Sequence, residues 1–183
     1  MYIFGFGSLI NLKSAQKSFK RILTQDDLIP IKIKGYRRVW NAVSHINFDK
    51  EQVKGVFLNI KADKNSEIWG VAIKVKNDEL EELKLREKNY SQICINKEQI
   101  LDENFNAELT AFITTNDKFI AHKGDKNSFI PIKYINIIKD ALDNYDDEFK
   151  QNFAEILKDF PFELKDGEYT FTDSLQNKAA KGS

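Results

Sequence analysis

The chain has 183 residues, with 28 lysines and arginines against 28 aspartates and glutamates and a formal net charge of zero. That length suffices for one ordinary core without metal or disulfide staples, and a balanced charge provides no global field toward nucleic acid or an anionic membrane. A single cysteine, Cys94, excludes an internal disulfide, and the two histidines, His45 and His122, lie too far apart for any zinc-type ligand spacing.

Residues 1–6 read as a short buried strand that runs into Gly7 and Ser8, where the backbone is free to turn tightly. Residues 12–23 are polar with apolar breaks, a helical turn or a loop. Ile29, Ile31 and Ile33 alternate with period two, and apolar character resumes at Val39 after Gly35, predicting a strand with a bulge or bend. Residues 53–60 and 68–75 repeat the strand pattern around a turn-like Ala62-Asp63-Lys64-Asn65-Ser66, predicting a hairpin. Asn77 or Asp78 caps a helix running through Lys88, and strand character returns at residues 90–95 and 109–115.

After Pro131, Tyr134, Ile137, Ile138, Ala141 and Leu142 recur at helical spacing, as do Phe149, Phe153, Ile156 and Leu157. Two closing helices are expected, with Tyr134, Phe149 and Phe153 as core aromatics. Residues 161–183 read as an edge segment and a polar tail. The predicted organisation is one domain over residues 1–157 and a C-terminal extension over 158–183. No apolar run approaches the roughly 20 residues of a membrane-spanning helix. The first residues lack the basic start and apolar stretch of a signal peptide, so a cytoplasmic location is expected, with no membrane or nucleic-acid partner.

Gly5-Phe6-Gly7-Ser8-Leu9-Ile10 begins like a dinucleotide fingerprint, but Ile10 replaces the third glycine, and no P-loop pattern is present. What remains is a glycine turn at a strand end. Either its N–H groups form a small nest for a carboxylate or carbonyl oxygen, or the glycines serve packing alone.

The helix from Asn77 is more informative, because each residue advances about 100° and so fixes which side chains share a face. Leu80, Leu83 and Glu87 fall on one stripe, whereas Glu79, Glu81, Glu82, Arg86 and Lys88 fall on the opposite side, where solvated charges are expected. A carboxylate on an apolar stripe has two fates. It pairs with a cation, Arg37 or Arg38 being the candidates, or burial raises its pKa toward the range useful for general acid/base chemistry. Those arginines are adjacent in a strand and point to opposite faces, and alternation does not say which one is buried. Neither histidine has a triad partner at a recognisable spacing, and Cys94 lies in an apolar strand that disfavours a thiolate.

Three segments in this order resemble the γ-glutamyl cyclotransferase superfamily, which includes ChaC-type enzymes: Phe4-Gly5-Phe6-Gly7-Ser8-Leu9-Ile10, Gly35-Tyr36-Arg37-Arg38-Val39-Trp40 and Leu85-Arg86-Glu87-Lys88-Asn89-Tyr90. The resemblance implies an α+β fold, a small bent β-barrel of mixed strands with surrounding helices. It implies a substrate loop in which Phe6, Gly7, Ser8 and Leu9 contact a γ-glutamyl group, with Tyr90 lining the pocket and Glu87 as the general acid/base. The implied reaction releases 5-oxoproline from a γ-glutamyl peptide, amino acid or amine, glutathione among them, and uses no metal or organic cofactor. Phe6 departs from the family pattern, which has tyrosine there, and the missing hydroxyl bears on substrate choice. Two alternatives accompany this reading: cleavage or transfer of another γ-glutamyl amide, and a non-catalytic member that binds a small metabolite.

Overall fold

The computed structural model describes residues 1–49, 51–87, 90–174 and 177. The strands are β1 (Tyr2–Gly5), β2 (Ile29–Phe48), β3 (Glu51–Lys74), β4 (Ser91–Ile95), β5 (Leu109–Ile113), β6 (Ser128–Pro131), β7 (Glu163–Lys165) and β8 (Tyr169–Phe171). The helices are α1 (Leu12–Gln16), α2 (Asn77–Arg86), α3 (Ile132–Leu142) and α4 (Asp147–Ala154).

All eight strands join one mixed sheet in the order β4-β5-β1-β3-β2-β8, with β6 alongside β3 and β7 beyond β6. The β1 strand runs parallel to β5 and antiparallel to β3. This is the expected α+β class. Among the described residues the strand path stays open and does not close into a barrel.

The long pair β2–β3 is the frame. It is the hairpin of the fold, turning at Asp49, whose φ of 55° is left-handed. The predicted hairpin within residues 53–75 does not form: the polar stretch around Asp63 is the middle of the 24-residue β3. The reason is the partner strand, since Tyr36 pairs with Ala62 and Arg37 with Lys61, so β2 supplies the ladder through a segment whose composition reads as a turn. Register shifts beside Gly35 and Asn41 bend the ribbon, as the glycine break suggested.

Alternation along β1 feeds two apolar layers. Ile3 faces a large core with Leu58, Val71 and Ile73 of β3, which α3 and α4 cover with Ile135, Ile138, Phe149 and Phe153. Phe4 faces a smaller cluster with Ile31, Ile33, Ile60 and Ala111. Phe149 and Phe153 are the predicted core aromatics, stacked with centroids 5.2 Å apart. The α1 helix is capped by Asn11, whose side chain accepts from the Ser14 amide at 3.0 Å and donates to the Ile137 carbonyl at 2.9 Å. Among the described residues, no helix is long and apolar enough to cross a membrane.

Candidate active site

A cavity of about 560 Å³ opens where the end of β1, the C-terminal end of α2, the first turn of α3 and strand β8 come together. All six sequence-predicted site residues, Phe6, Gly7, Ser8, Leu9, Glu87 and Tyr90, line it.

The loop after β1 is shaped by close approaches that only glycine permits. A Cβ on Gly5 would lie 2.7 Å from the Leu9 Cβ, and one on Gly7 would lie 2.6 Å from the Tyr134 hydroxyl. The chain then enters a 3-10 turn over Ser8–Ile10, where the Ile10 amide donates to the Gly7 carbonyl at 3.1 Å. Leu9 and Ile10 are buried, and the Tyr145 hydroxyl donates to the Ile10 carbonyl at 2.6 Å. Packing and anchoring thus hold the turn at both ends. Phe6 borders the cavity, but its ring belongs to the smaller apolar layer, 6.3 Å from the ring of Phe4.

Glu87 is the first residue past α2, half-buried, its N–H donating to the Leu83 carbonyl at 2.8 Å. Leu83 is fully buried, as the apolar stripe requires. The predicted extension of this helix to Lys88 lies outside the described residues. Neither candidate arginine pairs with Glu87. Arg37 is half-exposed and pairs with Asp63 at 3.4 Å, while Arg38 is buried and bonded to neutral acceptors. One charge on the supposedly solvated side is misassigned: Glu79 is only 4% exposed. Its carboxylate accepts from the Lys76 amide at 2.9 Å and from Arg21 at 3.1 Å, so the first turn of α2 is pinned through a buried cap and ion pair.

Tyr134 is a core aromatic, as the helical pattern predicts, and it also borders the cavity, which the pattern did not show. It is buried, its ring meets Phe57 edge-on at 5.0 Å, and its hydroxyl abuts Gly7 in the cavity wall. Burial pushes its pKa well above the ordinary tyrosine range, with the charges of Tyr169 and Glu87 adding to the rise, while backbone hydrogen bonds from Leu58 and Ser8 oppose it. The phenol is therefore a neutral hydroxyl within electrostatic reach of Glu87. Its signal was present in the sequence: a tyrosine on a buried helical stripe needs a partner for its oxygen.

The outer wall was also unassigned. Ser44 and Asn47 of β2, together with Tyr169, Thr170 and Phe171 of β8, line the cavity. At its rim Lys133 pairs with Glu168. Among the described residues, no group of three or more His, Cys, Asp and Glu side chains is placed to hold a metal ion.

The α+β fold, with its open mixed sheet, matches solved γ-glutamyl cyclotransferase structures. One such structure, a gamma-glutamyl cyclotransferase, superposes with a TM-score of 0.61 at 14% identity, covering 100% of this chain and 99% of that one. A yeast gamma-glutamyl cyclotransferase specific to glutathione superposes with a TM-score of 0.57 at 15% identity, covering 86% and 93%. YkqA from Bacillus subtilis gives 0.61 at 16% identity, covering 88% of this chain but 55% of its own length. The chain belongs to the ChaC-like protein family, which it matches over residues 1–166. No curated protein matches it in sequence.

Proposed function

We propose that the cavity holds a γ-glutamyl compound and that the chain is an enzyme of the γ-glutamyl cyclotransferase type, converting the γ-glutamyl group to 5-oxoproline. The observation that carries this reading is the meeting of Glu87 with the Gly5–Leu9 turn in one cavity of a ChaC-like chain. In the reaction, the substrate's α-amine attacks its own γ-carbonyl carbon, a C–N bond closes the five-membered ring, and the original amide C–N bond breaks. Glu87 takes a proton from the α-ammonium and returns one to the departing amine, the second proton shed by the attacking nitrogen leaves with that amine as its ammonium, and because the attack is intramolecular no water is consumed. Because nucleophile and electrophile belong to one molecule, holding the folded conformer is a large part of the work. In this reading the Gly7 N–H of the loop donates to the oxygen that becomes an oxyanion, and the neutral Tyr134 hydroxyl stands beside it.

Glutathione is the first substrate to test, in view of the likeness to a glutathione-specific structure. The cavity volume of about 560 Å³ leaves room beyond the γ-glutamyl group for a peptide-sized leaving part. The deciding experiment is a panel of glutathione, γ-glutamyl amino acids and γ-glutamyl amines, with 5-oxoproline and glutamate quantified separately. Release of 5-oxoproline by the wild type and its loss in Glu87→Gln support the proposal. Glutamate as the product indicates hydrolysis and overturns it.

A further inference from the structure

Arg38 is an unusual residue to bury. It is 7% exposed in β2, and all its hydrogen-bond acceptors among the described residues are neutral. Its Nε donates to the Phe6 carbonyl at 3.1 Å, one terminal nitrogen donates to the Asn152 side-chain oxygen at 2.7 Å, and the other to the Trp69 carbonyl. The guanidinium also lies over the Phe153 ring, 3.5 Å from its centroid. Burial lowers its pKa to about 9, which still leaves it charged at neutral pH. A cation buried without an anion is costly, so stability alone does not account for it. The planar fork does something no other side chain does: it joins three separate segments, the loop after β1, strand β3 and helix α4, through one rigid head.

The bond to Phe6 has a geometric consequence at Gly7. The Phe6 carbonyl and the Gly7 N–H belong to the same peptide plane, and in a trans peptide they point in opposite directions. Arg38 borders a different cavity from the one lined by Gly7 and Glu87, so it holds that carbonyl from behind the turn. Among the described residues no hydrogen bond uses the Gly7 N–H, whereas the Gly7 carbonyl is occupied by Ile10.

We propose that Arg38 is a positioning residue for the substrate loop: by pinning the Phe6 carbonyl it turns the Gly7 N–H toward the candidate active-site cavity as a ready donor for the ligand's negative oxygen. The inference rests on the functional reading above for the identity of the ligand, but its geometric core does not.

The test compares Arg38→Lys and Arg38→Gln with Arg37→Lys, at a temperature where all are folded by near-ultraviolet circular dichroism. Lysine keeps the charge but cannot reach three acceptors at once. Two readouts are taken: steady-state kinetics on the best γ-glutamyl substrate, and amide hydrogen exchange resolved by peptide. Expected for both Arg38 variants is a rise in KM of at least tenfold with kcat within about threefold. Exchange in peptides covering residues 5–10 should also rise at least tenfold, with β4 and β5 unchanged. Arg37→Lys should match the wild type in both. Wild-type KM with wild-type exchange in the Arg38 variants overturns the proposal, and so does exchange raised equally across the chain, which marks general loosening. Should the wild type turn over no γ-glutamyl compound, the functional reading fails on its own, and the exchange pattern alone decides for or against Arg38.

Discussion

The two sides of the cavity are built on opposite plans. The Gly5–Leu9 turn offers backbone groups, and it is held by two glycine contacts too tight for a side chain, by Tyr145 on Ile10 and by the buried Arg38 on Phe6. The opposite side offers one carboxylate, Glu87, at the end of a helix anchored at its far end by Glu79 and along its length by Leu83. The difference has a chemical logic. Backbone donors have no side-chain identity, so their accuracy must come from packing, whereas a proton-carrying carboxylate needs only its side chain in place. Damage to the first wall should therefore affect folding and binding together, and removal of the carboxylate itself should affect chemistry alone.

The sharpest separation, and the largest expected effect, comes from Glu87→Gln. Removing a general acid/base costs on the order of 10²–10⁴ in kcat. The melting temperature should move by less than about 2 °C, as for a substitution outside the core. A melting temperature lowered by many degrees would show that Glu87 is structural and that the two walls do not differ as described.

Gly7→Ala attacks the first wall. Its new Cβ would sit 2.6 Å from the Tyr134 oxygen, so either the loop or α3 must shift. Strain of this kind costs about 1–3 kcal/mol, and KM should rise together with the loss of stability. Because the clash is with one hydroxyl, Gly7→Ala combined with Tyr134→Phe should recover part of the lost stability, as a thermal-melt double-mutant cycle would read. A strictly additive cycle contradicts the contact.

A smaller effect on activity, with a similar one on stability, is expected from Arg21→Ala, which probes the remote anchor of the Glu87 helix. It leaves the Glu79 carboxylate, 4% exposed, without its cation while the Lys76 amide still donates to it. A buried charge that keeps one hydrogen bond but loses its partner costs about 1–3 kcal/mol. Denaturant titration should show that loss, with kcat reduced less than tenfold, since the helix frays from the end away from Glu87.

These contrasts mirror what could be read in the sequence. Glu87 stood out because helical spacing put it with Leu80 and Leu83, a purely local property. The glycine turn could be placed at a strand end, but whether its glycines served a ligand or packing was decided by Leu9 and Tyr134, which only the fold brings to them. The same holds for Arg37 and Arg38: alternation said that one was buried, and the placement of Phe6, Trp69 and Asn152 determined which. Glu79 looked solvated on a helical wheel because the wheel carries no information about Arg21, 58 positions earlier in the chain. The middle of β3 looked like a turn because strand propensity there is set by β2. The three residues of β8 were too short a run to carry a pattern, yet they line the cavity.

Tyr134 stands between the two walls, touching Gly7 and sensing the charge of Glu87, and it gives the smallest and most discriminating prediction. Tyr134→Phe keeps the ring against Phe57 and removes one neutral hydrogen-bond donor, so kcat/KM should fall by about tenfold or less, equivalent to ~1.4 kcal/mol. Burial raises the phenol's pKa, so in the folded enzyme it stays protonated through the ordinary tyrosine range, whereas the unfolded chain ionises it near the usual tyrosine value of 10.0. The folded state then holds more protons than the unfolded state above that pH, and the sign of the linkage is that Tyr134 makes stability fall as pH climbs through about 10. Wild type should lose stability there more steeply than Tyr134→Phe, while the alkaline side of the two kcat profiles should coincide. A limb near pH 10 present in the wild-type kcat profile and absent from the variant would mean that the phenol ionises in the folded enzyme. In that case Tyr134 would belong with Glu87 on the proton-carrying side of the cavity and not with the loop.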